Sequence, residues 1–167
     1  MKSILITDSL FVLPEHEQRL RDAGYDIVRL DKPKATTEEL CQAIQGKSGY
    51  IIGGLEEVTD EVINAADKLE AIVVTAIGWK TFLPGWRLAT EKGIAIANTP
   101  DAPTQEVSEW AITAALMMNR HFLELGRAGD KEFMVTPGIE GQKIGIIGLG
   151  RTGARIAEML QVFRPAS

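Results

Sequence analysis

Five short apolar runs, each too brief for a helix and each followed by a polar or helix-patterned stretch, dominate the first hundred residues. They are Ser3–Thr7, Asp26–Leu30, Tyr50–Ile52, Ala71–Val74 and Ile94–Ala97. Runs of this length read as strands buried on both faces, and intervening helices demand parallel crossovers. Pro14–Ala23 is helix-patterned and is stopped by Gly24; Thr59–Ala66 is a second helical stretch. Thr36 or Thr37 can cap a further helix through Leu40, Ala43 and Ile44 to Gly46, because a threonine hydroxyl accepts a free first-turn N–H. Only Gly53-Gly54 leaves room for a hairpin. The expected fold class is therefore α/β, an open doubly wound parallel sheet complete within residues 1–97.

A different pattern follows. Asn98-Thr99-Pro100-Asp101-Ala102-Pro103 is a turn-rich hinge, since each proline fixes φ and removes a donor. Residues 104–124 then read as one long helix, roughly 30 Å at 1.5 Å per residue. Val107, Trp110, Ala111, Ala114, Ala115, Met118 and Phe122 are among its apolar positions. A loop through Gly126, Gly129, Pro137, Gly138 and Gly141 leads to an expected strand, Lys143–Ile147, and to a helix from Arg151 to Val162.

Charge and composition remove several classes of function. With 18 Lys+Arg against 23 Asp+Glu, the net charge of −5 is the wrong sign for a nucleic-acid partner. No apolar run approaches the roughly 18 residues of a membrane span, and Asp8 cuts short the run after Lys2. One cysteine, Cys41, allows no internal disulfide, and with only His16 and His121 beside it a zinc site lacks ligands. The expectation is a soluble cytoplasmic protein.

Between the last strand and the last helix stands Gly148-Leu149-Gly150-Arg151-Thr152-Gly153, a G-x-G-x-x-G turn in the strand-to-helix setting that gives the pattern meaning. Gly148 suits the tight turn, Gly150 leaves bare backbone for a diphosphate, and Gly153 lets helix and strand pack closely. The helix N-terminus adds N–H donors and partial positive charge. Arg151 supplies a charge-assisted bond or is merely solvated. Three glycines capping one element and opening the next is the plain alternative. An acidic residue that grips ribose hydroxyls belongs about 20 residues further on. That position lies past Ser167, so NAD and NADP are not separated and binding by these residues alone is expected to be weak or absent.

Three passages in this order, GIAIANTP (93–100), PTQEVSEWAITAALMMNR (103–120) and EGQKIGIIGLGRTGARIAEML (140–160), make the chain resemble the D-isomer-specific 2-hydroxyacid dehydrogenases. The resemblance implies a two-domain oxidoreductase with its active site between the domains. Residues 1–97 correspond to a flavodoxin-like substrate domain, and 98–167 to the start of a Rossmann nucleotide-binding domain. A hydride passes between NAD or NADP and a small 2-hydroxy or 2-oxo acid. The matching substrate-carboxylate loop is Ala76-Ile77-Gly78-Trp79, holding the anion with backbone N–H groups. A plain turn with Trp79 as packing is the alternative. Gly148, Gly150, Arg151, Thr152 and Gly153 contact the cofactor, and Val107 borders the nicotinamide unless it is ordinary core.

The sequence departs from the family in two places. Lys80 to Pro84 replace a stretch where aspartates are common and Gly85-Trp86 resemble an insertion, while Thr152 stands where an apolar residue is usual. The family's arginine, glutamate and histidine have no counterparts here. His121 lies near the end of the long helix and His16 in a solvated first turn, so neither replaces the general acid/base. The chain then reads as a fragment whose strand 143–147 lacks neighbours, held by another chain or by docking. A homodimer through helix 104–124 and the following loop is the expected assembly. The alternative is a corepressor-like protein of the same fold that senses the dinucleotide. A phosphorylatable receiver domain is excluded, because Asp8 stands alone and the third strand ends in Gly53-Gly54.

Overall fold

The computed structural model describes residues 1–7, 12–128 and 135–166; Asp8, Gly129 and Ser167 lie outside them. The chain forms two compact units, Met1–Pro100 and Asp101–Ser167.

In the first unit the strands are β1 (Ser3–Thr7), β2 (Asp26–Leu30), β3 (Gly49–Ile52), β4 (Ala71–Val74) and β5 (Ala95–Asn98). They pair in the order β2-β1-β3-β4-β5, every pair parallel, so Gly53-Gly54 makes no hairpin. Register places Leu30 and Ile52 beside Thr7, Val74 beside Ile52, and Asn98 beside Val74, aligning the carboxyl ends of all five strands. The helices are α1 (Pro14–Asp22), α2 (Thr37–Ala43), α3 (Asp60–Ala65), α4 (Trp79–Phe82) and α5 (Trp86–Glu91).

The period of two along each strand divides the core. Leu5, Tyr50, Ile52, Ile72 and Val74 face Leu40, Ile44, Val62, Ile63 and Ala89 on one side. Ile4, Ile6 and Ile27 gather with Val12 and Leu20 on the other. Each fully buried aliphatic side chain contributes about 1.5–3 kcal/mol of transfer free energy. Of the two threonines, Thr36 is the cap of α2: its Oγ1 accepts the Glu39 N–H at 3.3 Å, while Glu39 Oε2 accepts the Thr36 N–H at 3.0 Å. His16 is not simply solvated, since its Nδ1 accepts the Leu13 N–H at 3.1 Å at the start of α1.

A buried polar knot closes the carboxyl ends of β1 and β3. Thr7, Tyr50 and Glu56 are almost wholly buried. Glu56 Oε1 accepts from the Tyr50 hydroxyl at 3.2 Å and from the Thr7 hydroxyl, and Thr7 Oγ1 also accepts the Gly53 N–H at 3.3 Å. Gly54 must lack a side chain here, because a Cβ would overlap Glu56 Oε2 and lie 2.9 Å from the Pro33 carbonyl. Burial first, and then the Glu56 carboxylate, hold the Tyr50 phenol well above its usual range.

The second unit contains α6 (Thr104–Asn119), α7 (Phe122–Ala128), α8 (Arg151–Leu160) and a 3-10 turn over Gln161–Phe163. The helix expected over 104–124 is thus two helices. It breaks where His121 adopts φ 48°, a left-handed conformation that ends a helix. The strand expected over Lys143–Ile147 is also absent, since no described strand pairs with that segment and unpaired backbone makes no ladder. Ile147 is fully exposed and Ile144 40% exposed. An apolar groove of about 390 Å³ opens between this segment, Ile112, Ile156 and Leu160. The unit's small core is Ile112, Ile139 and Leu160 with buried Ser108. Tethers complete it, among them Gly141 N–H to the Arg164 carbonyl at 2.9 Å and Ala166 N–H to the Gln142 carbonyl at 2.9 Å.

Two outcomes follow from this unequal construction. In native-state hydrogen exchange, the amides of 71–74 are strongly protected and those of 143–147 exchange close to unprotected rates; equal protection refutes the assignment. Below pH about 10 Tyr50 is neutral folded and unfolded; above it the unfolded phenol ionises while the folded one resists, so stability falls with rising pH. Thermal melting between pH 9 and 11 reads this loss, and Tyr50→Phe flattens it; an unchanged slope in the variant contradicts the buried phenol.

Candidate functional site

The glycine turn of the second unit is shaped by backbone touching backbone. Gly148 has φ +91°, a conformation that L side chains rarely adopt. A Cβ on Gly153 would overlap the Gly148 carbonyl oxygen and lie 3.1 Å from its carbon. Gly150, between them, differs: a Cβ there meets nothing within 4 Å. Two glycines of the pattern therefore close the turn on itself, and the third faces open space.

Gly150 is also the N-cap residue of α8, and no side chain caps the helix. The first-turn N–H groups of a ten-residue helix thus stand beside the one open glycine. Polar contacts hold this turn against α6. Ser108 Oγ donates to the Thr104 carbonyl at 2.6 Å and meets the Thr152 carbonyl oxygen at 3.4 Å. Arg155 Nε donates to Gln105 Oε1 at 2.7 Å. Arg151 is exposed yet not merely solvated, because its Nε pairs with Asp101 Oδ1 at 2.5 Å. Thr152 contributes its backbone carbonyl to these contacts. Val107 is 45% exposed, which removes it from the core.

In the first unit, the segment after β4 is pinned at both ends. Thr75 Oγ1 donates to the Ile52 carbonyl at 2.8 Å, and the Thr75 N–H reaches the same oxygen at 3.0 Å. Asn98 Nδ2 donates to the Ala76 and Ile77 carbonyls at 3.2 and 3.3 Å. Both Ala76 and Ile77 carbonyls are therefore engaged, whereas the N–H groups of Ala76, Ile77 and Gly78 find no acceptor among the described residues. Trp79 then opens α4 and packs against the larger core and edge-to-face on Trp86, centroids 6.0 Å apart. The loop is a turn with Trp79 as packing and, at once, a row of free donors.

Gly85-Trp86 are built into the unit. The Gly85 N–H donates to the Val58 carbonyl at 3.0 Å, and a Gly85 Cβ would lie 2.8 Å from the Thr59 carbonyl carbon. Trp86 is the first residue of α5.

Asn98 and the Thr7–Tyr50–Glu56 knot escaped sequence reasoning. Asn98 sits in a hinge-like run and signals a turn rather than an anchor. A glutamate followed directly by a second, Glu57, between two hydrophobic segments reads as solvent-facing, since charged residues are rarely buried unpaired. The pair Gly54 and Glu56 was the available signal, a side-chain-free position beside a carboxylate. Among the described residues no cluster of His, Cys, Asp and Glu could hold a metal ion, and no helix is long and apolar enough to cross a membrane.

Comparison with known proteins supplies the family. The profile described as "D-isomer specific 2-hydroxyacid dehydrogenase, catalytic domain" matches residues 4–161. D-3-phosphoglycerate dehydrogenase of Rattus norvegicus is 32% identical over 169 residues, covering 98% of this chain and 30% of its own length. Among solved structures, a protein from Thermus thermophilus superposes with TM-score 0.86 at 22% identity, covering 98% of this chain and 54% of that one. NAD+-bound 3-phosphoglycerate dehydrogenase of Entamoeba histolytica gives 0.79 at 18% identity, covering 99% of this chain and 52% of that one. The chain spans about a third of the curated relatives it matches. With a five-stranded all-parallel sheet shared with those structures and a profile match over nearly its whole length, this chain belongs to the D-isomer specific 2-hydroxyacid dehydrogenase family.

Proposed function

We propose that these residues carry the diphosphate turn and the substrate-carboxylate loop of a cytoplasmic, NAD(P)-dependent 2-hydroxyacid dehydrogenase. Residues 1–97 serve as its substrate domain and 98–167 as the start of its nucleotide-binding domain. The observation behind this reading is the division of labour among the three glycines. Gly148 and Gly153 are demanded by the turn itself, whereas Gly150 is not, and an unneeded glycine beside uncapped helix N–H groups is what a close-approaching anion requires.

In this reading Gly150 and the N–H groups of Arg151, Thr152 and Gly153 hold the diphosphate of NAD or NADP, and Val107 borders its nicotinamide. When bound there, the cofactor would supply the hydride chemistry, exchange with C2 of a small 2-hydroxy or 2-oxo acid. Ala76, Ile77 and Gly78 present backbone donors to the acid's carboxylate, and Trp79 anchors that loop. Asn98 is a positioning residue, holding the carbonyls away so that the N–H groups remain available. Neither histidine takes the acid/base role in this reading. His16 and His121 serve helix ends, His16 through its imidazole and His121 through its left-handed backbone.

On titration with NADH or NADPH, the amide resonances of Arg151, Thr152 and Gly153 shift with weak affinity, in the range of about 1 mM. Gly150→Val places its side chain in open space, keeps the fold by circular dichroism, and removes the shifts. Amides that stay still in the parent chain, or shift equally in the variant, overturn the reading.

A second face supports a homodimer. Trp110 is 73% exposed and Met118 77%, and with Ala114, Met117 and Leu123 they line an open groove of about 380 Å³ along α6 and α7. So much exposed apolar surface marks an interaction site. Sedimentation at micromolar concentration shows a two-copy species, and Trp110→Glu returns it to 18.2 kDa. A parent chain found only at 18.2 kDa rejects the dimer.

A further inference from the structure

The cationic side chains of α8 are already engaged inside the chain. Arg151, the first residue of the helix and the neighbour of Gly150, pairs through Nε with Asp101 Oδ1 at 2.5 Å. Arg155, one turn on, donates from Nε to Gln105 Oε1 at 2.7 Å and from Nη1 to Glu158 Oε2 at 2.6 Å. The pairing at Arg151 also brings a carboxylate to the glycine turn. An arginine Nε lies within about 6.5 Å of its own backbone nitrogen by covalent geometry, so Asp101 Oδ1 is within about 9 Å of the Arg151 N–H. That is inside a Debye length of about 10 Å at 0.1 M salt, close enough for one anion to oppose another.

We propose that Asp101 is an internal competitor of the cofactor diphosphate, holding the Arg151 guanidinium until the diphosphate takes it over. The proposal rests on the reading of Gly150 and the α8 N–H groups as the diphosphate site, and it names a residue that sets how tightly that site binds. The exchange costs little, because both side chains face water, Arg151 61% and Asp101 74% exposed, and an ion pair so placed contributes little stability. A diphosphate offers the guanidinium phosphate oxygens that match its planar fork, and it carries more charge than one carboxylate. The backbone has no need to move. The Asp101 carbonyl accepts the Thr104 N–H at 3.2 Å at the start of α6, and the Gly150 carbonyl accepts the Ala154 N–H at 2.8 Å at the start of α8. Only two exposed side chains turn. Arg151 is thus neither idle in solvent nor a ready contact for the cofactor: it is paired at rest and exchanges partners on binding.

The test titrates the whole chain with NADH and, separately, with inorganic diphosphate, following the amides of Arg151, Thr152 and Gly153 and the Arg151 Nε–Hε resonance. Asp101→Asn binds both probes about threefold more tightly than the parent chain, the scale of one exposed ion pair. Asp101→Glu, which rebuilds the pair, stays near the parent. The Nε–Hε resonance starts at different positions in the parent and in Asp101→Asn and ends at the same position once NADH is bound. In an Arg151→Gln chain the gain from Asp101→Asn disappears, because no guanidinium is left to release. A gain of the same size there is a general charge effect and overturns the proposal. Parent amides that shift with an affinity unchanged by Asp101→Asn overturn the role of Asp101 and leave the diphosphate reading standing. Parent amides that stay still with both probes overturn the diphosphate reading, and the proposal with it. A gain confined to NADH places the competition elsewhere on the cofactor and likewise overturns the proposal.

Discussion

Parallel register is the constraint on which the first unit depends. Because Leu30, Thr7, Ile52, Val74 and Asn98 stand side by side, every strand delivers its outgoing chain to the same edge of the sheet. In an open α/β sheet that edge is where ligands bind. Here it concentrates the Thr7–Tyr50–Glu56 knot, the Asn98 anchor and the free donors of Ala76–Gly78. A slip of one residue in any ladder turns its side chains to the opposite face and dissolves this arrangement.

The two units achieve order by different means. The first buries aliphatic side chains on both sides of a five-stranded sheet, and its polar knot is almost wholly excluded from water. The second has few buried apolar side chains and an extended segment without a strand partner. Its glycine turn forms nonetheless, because that geometry is local: the Gly148 torsion and the close passage of Gly153 need one turn and one helix, not a sheet. The turn at Gly148 and Gly153 thus forms beside a poorly covered segment that has no strand partner among the described residues.

Much of this was legible in the residues. β2 and β4 lie where their apolar runs indicated, and α2 starts at one of the two threonines able to cap it. The G-x-G-x-x-G spacing announced its own steric logic. Long-range effects were less accessible. The pattern of 104–124 is continuous, and nothing local shows that His121 turns left-handed. Lys143–Ile147 has strand composition, but a strand exists only when a neighbour accepts its hydrogen bonds. Ile94 read as strand and instead packs into the core just before β5, where the helix-end tether Ile94 N–H to Ala89 carbonyl holds it at 2.9 Å.

Sequence alone determined the alternation of strand and helix, the parallel class of sheet and the need for glycine at Gly148 and Gly153, because these follow from side-chain periodicity and backbone sterics within a few residues. Tertiary structure decided which donors remain free and which carboxylate is buried. Those properties arise between residues distant along the chain, such as Thr7 with Glu56 and Asn98 with Ala76, and exist only once the ladders have brought them to one edge.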